Sequence, residues 1–261
     1  MNLKDKQELI TEFEKIFKDE KSYYGKKKPV FSGIFDPKEE SFFRKAHVKL
    51  NQLLGNIKGK RILDVGCGTG RISFYLASKG ADVTGIDLSG NFIQHCKETA
   101  TKLKLSITFK EMNAQLPDFP EESFDIITGS RIIHHLPDIK LFLGECKRLL
   151  KKGGYIVFIE PLKKNPIVQL NRKYFAPKAR TRHEHPLLMS DVMATRYIFG
   201  NIQHHEYFLL SPLAMFFNRI VRKDSLFRLS YKLLNRIESP LYKINFLHQY
   251  CWQTVFKSIK R

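Results

Sequence analysis

The stretch that most constrains the fold is residues 61–71, which read Arg-Ile-Leu-Asp-Val-Gly-Cys-Gly-Thr-Gly-Arg. A short apolar run fit for a buried strand ends abruptly at three alternating glycines, and apolar residues then resume at helical spacing. Strand, glycine turn and helix in this order open a Rossmann-like βαβ unit, in which glycines let the backbone approach a bound nucleotide. The G-x-G-x-G spacing differs from the G-x-G-x-x-G that seats a pyrophosphate, and a carboxylate, Asp64, precedes the turn. This pattern favours a cationic ligand.

Residues 63–70 closely resemble the first motif of the class I S-adenosylmethionine-dependent methyltransferases, and similar landmarks continue to about residue 160. The resemblance implies a cofactor held by the glycine loop at its amino-acid part and by an acid of the second strand at its ribose hydroxyls. Asp87 stands 17 residues after Gly70, close to the offset expected for that acid; its alternative role is a helix N-cap. Asn113-Ala114 stands where many relatives carry Asp-Ala beside the adenine. The expected cofactor-binding residues are Asp64, Gly66, Cys67, Gly68, Thr69, Gly70, Asp87, Leu88, Asn113, Ala114 and Ser130.

Strand and helix patterns alternate from residue 61 to residue 160, which predicts a parallel, doubly wound sheet. We expect an α/β, Rossmann-like fold with seven strands, of which the last is antiparallel. The resemblance implies that N-terminal helices cover the cofactor, and that the basic segment after the fifth strand is an insertion for substrate recognition. The predicted organisation is a helical cover over 1–58, a cofactor-binding core over 59–160, a substrate-recognition insertion over 161–202, and completion of the sheet over 203–261 with a basic amphipathic helix over 212–242.

Composition adds limits on location and partners. The four cysteines lie far apart, the first residues lack the apolar core of a signal peptide, and no stretch approaches the roughly 18 apolar residues of a membrane span. We therefore expect a cytoplasmic protein, with the inner membrane face as a peripheral location. Positive charge concentrates after residue 160, where 18 lysines and arginines stand against 5 acids. That favours a phosphate-bearing partner, either nucleic acid or an anionic membrane; the alternative is an ordinary solvated surface.

Histidines supply the candidate catalytic groups. A methyl acceptor must be placed near the methyl carbon of the sulfonium, and a hydroxyl acceptor also needs a base. We expect His185 or His183 as the base and Glu184 as its orienter, because this cluster falls in the expected substrate-recognition segment, and His134 is a further candidate. Each histidine has an ordinary structural role as its alternative. A zinc site among the histidines would lack metal-ligand spacing, so no metal is expected.

Missing motifs narrow the acceptor. The Asn/Asp-Pro-Pro-aromatic motif of amino-group methyltransferases is replaced here by Gly129-Ser130-Arg131-Ile132, and no cysteine follows a proline as in the pyrimidine C5 enzymes. The chain thus resembles the small-molecule branch, which includes quinone and lipid methyltransferases, and we expect O-methylation of a small, hydrophobic or lipid-like acceptor. Two alternatives stay open: an RNA methyltransferase that uses the basic C-terminal half, and a non-catalytic module that binds a membrane or a partner. The sequence does not decide the oligomeric state.

The segment 212–242 indicates how a lipid-like acceptor could be reached. Large apolar residues and cations alternate there at helical spacing, as an interfacial membrane helix requires. We expect this helix to dock on an anionic membrane; packing on the sheet and a dimer interface are the alternatives. The apolar residues of the stripe are Leu213, Phe216, Phe217, Ile220 and Phe227, and its bordering cations are Arg219, Arg222, Lys223 and Arg228.

Overall fold

The computed structural model describes residues 3–30, 32–37, 42–174, 183–215 and 224–261, with residues 3–12 and 224 described by their backbone alone. Its strands are β1 (Arg61–Val65), β2 (Asp82–Asp87), β3 (Ile107–Glu111), β4 (Phe124–Ser130), β5 (Leu150–Pro161), β6 (Gln203–Tyr207) and β7 (Gln253–Ile259). Its helices are α1 (Leu3–Gly25), α2 (Arg44–Leu54), α3 (Arg71–Ser78), α4 (Gly90–Leu103), α5 (Ile139–Leu149), α6 (Pro166–Tyr174), α7 (Met189–Phe199) and α8 (Asp224–Leu241). Short 3₁₀ helices span Ile133–His135 and Asn245–Tyr250.

All seven strands form one sheet in the order β3-β2-β1-β4-β5-β7-β6. Neighbouring strands from β3 to β5 run parallel, whereas β7 lies antiparallel between β5 and β6. The predicted seven-stranded Rossmann-like sheet with an antiparallel last strand is therefore confirmed. The strand order reverses between β1 and β4, and in sheets of this kind ligands bind in the crevice outside the carboxyl ends of such strands.

Two apolar layers enclose the sheet. Successive residues of β1 point to opposite faces, so that Ile62 packs with Leu76 and Val157 on one side, while Leu63 packs with Phe142 on the other. All five of these side chains are buried. Because both faces of the central strands are covered, the strands read as continuous apolar runs, and β1 is free to end at the glycine turn without losing its place in the core.

The N-terminal segment lies over the crevice. Helix α1 runs from Leu3 to Gly25, inside the segment predicted as a helical cover over 1–58, and it contacts α4. Helix α2 begins at Arg44 and packs against β5, β6 and β7. It is held there partly by the Lys257 ammonium, which donates to the Leu53 carbonyl at 2.8 Å. Residues 38–41 of the predicted cover lie outside the described residues.

The C-terminal part differs in detail from the pattern predicted for it. The segment read as an insertion contains α6 and α7, and α7 packs against α5 as the crossover helix between β5 and β6. The helix predicted over 212–242 is described as α8 from Asp224 onwards. Much of its predicted stripe, including Phe216, Phe217 and Ile220 with the cations Arg219, Arg222 and Lys223, lies outside the described residues. The domain boundaries stay a prediction.

None of the helices in the described ranges combines the length and apolar character needed to cross a bilayer.

Candidate active site

The glycine turn after β1 forms the floor of the site. Gly66, Gly68 and Gly70 all have positive φ, between 52° and 78°, which only glycine adopts readily. A Cβ on Gly66 would lie 2.7 Å from the Ile132 side chain, and one on Gly70 would lie 2.8 Å from the Phe74 ring. A Cβ on Gly68 would meet nothing within 4 Å, so this glycine faces open space. Two glycines therefore allow close packing, and the third leaves room for a ligand.

Asp87 ends β2 directly beside this turn. Its carboxylate accepts the Gly68 N–H and the Ser89 N–H, both at 2.9 Å. Burial raises the pKa of Asp87, although these backbone donors and the nearby His135 act in the opposite direction. Each oxygen accepts one of these bonds and keeps a second lone pair, which is the arrangement that a pair of vicinal hydroxyls requires.

Asp64 lies in β1, two residues before Gly66. It is 1% exposed, and one carboxylate oxygen accepts the Ser73 hydroxyl at 2.6 Å. Burial raises the pKa of Asp64 to about 7, with the Asp87 charge contributing and the Ser73 bond opposing. A carboxyl held at this pKa stabilises a cation placed next to it, because the cation offsets the cost of a buried negative charge.

Two adjoining cavities open above the glycines and share Gly66, Gly68 and Arg131 in their walls. The first cavity has a volume of about 150 Å³ and is lined also by Asp87, Leu88, Asn113 and Ala114. The second cavity has a volume of about 400 Å³ and is lined also by Asp64, Cys67, Thr69 and Ser130. Of the residues predicted to bind the cofactor, Gly70 lines neither cavity. The Asn113 amide oxygen accepts the Gln115 N–H at 2.9 Å, so this side chain is already oriented within its own turn.

Helix α1 closes the first cavity with polar groups that the sequence pattern did not single out together. The Tyr24 hydroxyl lies 3.3 Å from Nε2 of His135, and Nδ1 of His135 lies 3.3 Å from the buried Glu20 carboxylate. All three side chains line the cavity. Burial, followed by the Glu20 charge, raises the pKa of Tyr24, so its hydroxyl stays protonated at neutral pH. The only signal in the sequence was the spacing of residues 20 and 24 on one helical face.

Arg131 stands where the two cavities meet. Its backbone has φ +58°, and its N–H donates to the Ile159 carbonyl at 2.9 Å. The guanidinium carbon lies 4.7 Å from the centre of the Phe43 ring, within the range of a cation–π contact. Burial, together with the charges of Arg131 and Arg71, lowers the pKa of His47 to about 4, so the second cavity contains a neutral imidazole.

The four side chains predicted to be catalytic lie outside the lining of both cavities. His134 is buried and places Nδ1 2.8 Å from Glu160, whose other oxygen accepts the N–H groups of Ile132 and Ile133. The His185 N–H donates to the His134 carbonyl at 2.9 Å. The remaining contacts of the cluster are His185 Nδ1 with the His183 carbonyl at 2.8 Å, His183 with Asp19 at 3.4 Å, and Glu184 with Arg172 at 3.9 Å. These residues support the wall beside His135, and their catalytic roles stay a prediction.

Comparison with known proteins accounts for this arrangement. Residues 63–158 match the family model described as a methyltransferase domain. Residues 63–158 therefore form a methyltransferase domain. Within this domain lie the glycine turn, Asp87, Asn113 and His135. The resemblance of residues 63–70 to the S-adenosylmethionine-dependent methyltransferases is thus confirmed.

Relatives match this chain over different shares of its length. A ubiquinone biosynthesis O-methyltransferase of Alkalilimnicola ehrlichii is 37% identical over 116 residues, which are 44% of this chain and 47% of that protein. The chain thus spans about half the length of the curated relatives it matches. Phosphoethanolamine N-methyltransferase 2 of Haemonchus contortus, solved with S-adenosyl-L-methionine, has a TM-score of 0.58 at 21% identity over 82% of this chain and 52% of that one. The [4+2]-cyclase SpnF has a TM-score of 0.56 at 17% identity over 94% and 92%. These two structures share the fold, which alone does not fix the chemistry.

The residues around the methyltransferase domain's glycine turn fit S-adenosylmethionine. The open space above Gly68 admits a ligand, and Asp87 offers acceptors for two hydroxyls. Asp64 provides a buried carboxyl beside the second cavity, where a cationic group would be stabilised.

Proposed function

We propose that the protein is an S-adenosylmethionine-dependent methyltransferase that transfers a methyl group to an oxygen of a small, hydrophobic acceptor. The observation that carries this proposal is the pair of joined cavities above a methyltransferase glycine turn. One is lined by Asp87 and the other by Asp64. The assignment to oxygen and to a quinone-type acceptor is supported by relatives named ubiquinone biosynthesis O-methyltransferase.

The bound cofactor would supply a methyl group activated by a sulfonium. On the protein side, Asp87 would accept the ribose hydroxyls, and Asp64 would face the cationic amino-acid part. Asn113 and Ala114 would border the adenine in the first cavity, as their place in its lining supports. These groups bind and orient, and most of the acceleration of a methyl transfer can come from such positioning in a site that excludes water.

We propose His135 as the base that receives the acceptor's proton. Its ring lines the first cavity, where Nδ1 faces the buried Glu20 carboxylate and Nε2 faces the cavity and the Tyr24 hydroxyl. The Glu20 carboxylate, 3.3 Å from Nδ1, would stabilise the imidazolium formed when Nε2 takes a proton. The acceptor oxygen would then take the methyl group as the bond from the methyl carbon to the sulfonium sulfur breaks, which would leave the sulfur as a neutral thioether. His135 would hold the proton on Nε2 until water removes it.

The test is methyl transfer from labelled S-adenosylmethionine to a panel of catechols and hydroxylated quinols with apolar tails. Cofactor affinity is measured in parallel by calorimetry. His135→Gln should abolish most turnover and retain cofactor binding, whereas His185→Gln should retain both. If His185→Gln loses turnover and His135→Gln does not, the base is in the predicted 183–185 cluster. Cofactor binding without transfer to any acceptor would favour a non-catalytic module.

We further propose that α8 brings the protein to an anionic membrane. Its exposed face presents Leu226, Leu229, Leu233 and Ile237, between 43% and 64% exposed, at the spacing of one helical stripe. The flanking cations Arg228, Lys232 and Arg236 would each contribute on the order of 1 kcal/mol near an anionic surface. Phe227, which the sequence placed on the docking stripe, instead stacks on Tyr231 at 6.0 Å and lies near Phe42.

Co-sedimentation with vesicles tests this docking. The wild type should bind vesicles that contain phosphatidylglycerol and ignore neutral ones at low salt. The double variant Leu229→Ser, Leu233→Ser should lose the binding, whereas Tyr197→Ser, which removes a 90% exposed aromatic ring on α7, should not. Retention of RNA in a gel shift without vesicle binding would point to the nucleic-acid alternative.

A further inference from the structure

A cluster of titratable side chains lies at the edge of the sheet, apart from both cavities. His204 and Glu206 stand two residues apart on β6, so they share one face of this edge strand. His248 comes from the 3₁₀ helix that precedes β7. One ligand atom from each of the three residues lies within 4.8 Å of the other two. The individual separations are 2.9 Å from His204 Nδ1 to one Glu206 oxygen and 3.2 Å from His248 Nδ1 to the other.

The hydrogen bonds around His248 fix which of its nitrogens carries a proton. Nε2 lies 2.8 Å from the Tyr242 carbonyl oxygen, which can only accept, so Nε2 donates. In the neutral imidazole, Nδ1 then holds a lone pair, and that lone pair faces a Glu206 oxygen at 3.2 Å. Two lone pairs at this separation repel. A positive charge must therefore lie between them, either as a proton on Nδ1 or as a bound cation.

Glu206 needs such a charge for its own burial. Its side chain is 1% exposed, and the ion pairs that it makes within the described part of the chain are those with His204 and His248. The Thr254 hydroxyl donates to the same oxygen that faces His204, at 2.9 Å, which orients the carboxylate. A buried carboxylate without compensating charge is costly. Here, two imidazole nitrogens and one carboxylate, already oriented by Tyr242 and Thr254, converge on one point.

We propose that His204, Glu206 and His248 bind one divalent transition-metal ion of the zinc class. Two imidazoles and a carboxylate are a donor set that zinc uses, with water in the remaining position. Two ligands about 2.1 Å from a tetrahedral ion lie roughly 3.4 Å apart, so the separations of 2.9 and 3.2 Å would widen slightly on binding, and the three ligand atoms already lie within 4.8 Å of one another. Tyr242 and Thr254 supply the outer hydrogen bonds that metal ligands usually have. The His204 and His248 side chains are 24% and 16% exposed, so an ion can enter.

The ion would act as a clamp. It would join the edge strand β6 to the 3₁₀ helix before β7. Through the Tyr242 carbonyl, it would also be linked to the residue that follows α8. The sequence hides this site, because His248 follows Glu206 by 42 residues and no short ligand motif is formed. This proposal departs from the expectation, drawn from the sequence, that no metal binds.

The test is calorimetric titration of Zn²⁺ into chelator-treated full-length protein at pH 7.5. Thermal melting and the visible spectrum of the Co²⁺ form are recorded as further readouts. We expect one saturable site, a rise in the melting temperature and the absorption of a four- or five-coordinate cobalt ion. Losing an outer-shell partner typically costs roughly 10–100-fold in metal affinity, so His204→Ala and His248→Ala should each cost more than that. The matched control is His205→Ala, because His205 lies next to His204 on the opposite face of β6 and should leave affinity unchanged.

Circular dichroism of the metal-free variants shows whether they fold, and His248→Gln provides a milder second variant at the less exposed of the two imidazoles. Two results would overturn the proposal. One is the absence of saturable Zn²⁺ binding by the folded wild type. The other is binding that the His204 and His248 variants retain while the His205 variant loses it. In either case the charge between the imidazoles and Glu206 is a proton.

Discussion

Replacing Asp64 by asparagine should reveal how much the burial of this carboxylate's charge lowers the free energy of unfolding. The carboxyl is 1% exposed and its pKa is raised to about 7, against 3.8 for the ordinary side chain. Between these two values the unfolded chain has released its proton while the folded chain keeps it. Stability therefore falls as the pH rises, and the loss is complete above pH 7. Each pH unit corresponds to about 1.4 kcal/mol, so the whole loss is roughly 4 kcal/mol, of which about 3 kcal/mol falls between pH 5 and pH 8.

Asp64→Asn removes this titration and keeps an acceptor for the Ser73 hydroxyl. In urea unfolding of the ligand-free protein, the free energy of unfolding of the variant relative to the wild type should therefore increase by about 3 kcal/mol between pH 5 and pH 8. Any cost of packing the amide is the same at both pH values and cancels in this difference. A difference between variant and wild type that stays constant with pH would refute the reasoning.

Asp125→Asn is a matched control with the opposite sign. Burial acts to raise the pKa of Asp125, but the Arg61 N–H and the Lys151 ammonium outweigh it and lower the pKa below its usual value. Such a carboxylate stabilises the fold above its unfolded pKa and loses this contribution as the pH falls. The free energy of unfolding of the asparagine variant, relative to the wild type, should therefore fall as the pH rises from acid to neutral. This is the reverse of the result expected for Asp64→Asn.

Three further predictions concern the ligand. Gly68→Ala and Gly200→Ala both place a Cβ at positive φ in open space and should each cost about 1–3 kcal/mol of stability, but only Gly68→Ala should abolish cofactor binding in calorimetry. Asp87→Asn should weaken cofactor binding by roughly 1–3 kcal/mol, and an unchanged affinity would contradict its assignment to the ribose. His135→Gln should lower turnover by roughly 10²–10⁴-fold at nearly constant cofactor affinity; a parallel loss of affinity would mean that His135 only supports the pocket.

The core could be predicted from sequence because each of its signals is local. The alternating glycines require backbone conformations that other residues resist, and the apolar runs before and after them have the periods of a strand and a helix. Asp87 followed at a fixed offset because the unit between the turn and the second strand has a standard length. Such patterns need no knowledge of which distant segments meet.

The cover of the site, formed by α1 against the loop after β4, depends on contacts between residues that are far apart in the sequence. Tyr24 and His135 are 111 residues apart, and nothing in either segment alone indicates that they meet. The base cluster at 183–185 is predicted from its place in the expected substrate-recognition segment, whereas in the fold the His185 N–H donates to the His134 carbonyl. One residue of the predicted docking stripe gives a second example: α8 has apolar residues on two faces, and only tertiary packing shows that Phe227 turns towards Phe42 and Tyr231.

The cover formed by α1 also bears on the order of steps in catalysis. Glu20 and Tyr24 belong to α1, whereas His135 belongs to the loop after β4, so the proposed base is fully oriented only when α1 covers the first cavity. A cover that completes the catalytic group excludes water at the same step, which suits transfer of a reactive methyl group. We infer that removing the contact without touching the base, as in Tyr24→Phe and Glu20→Gln, should lower turnover less than His135→Gln does. Glu20→Gln should lower turnover at nearly constant cofactor affinity, because the imidazolium formed in the reaction would lose its nearby carboxylate and the ring would lose part of its orientation. If that variant leaves turnover unchanged and lowers only the stability, α1 is a packing element and the base acts without it.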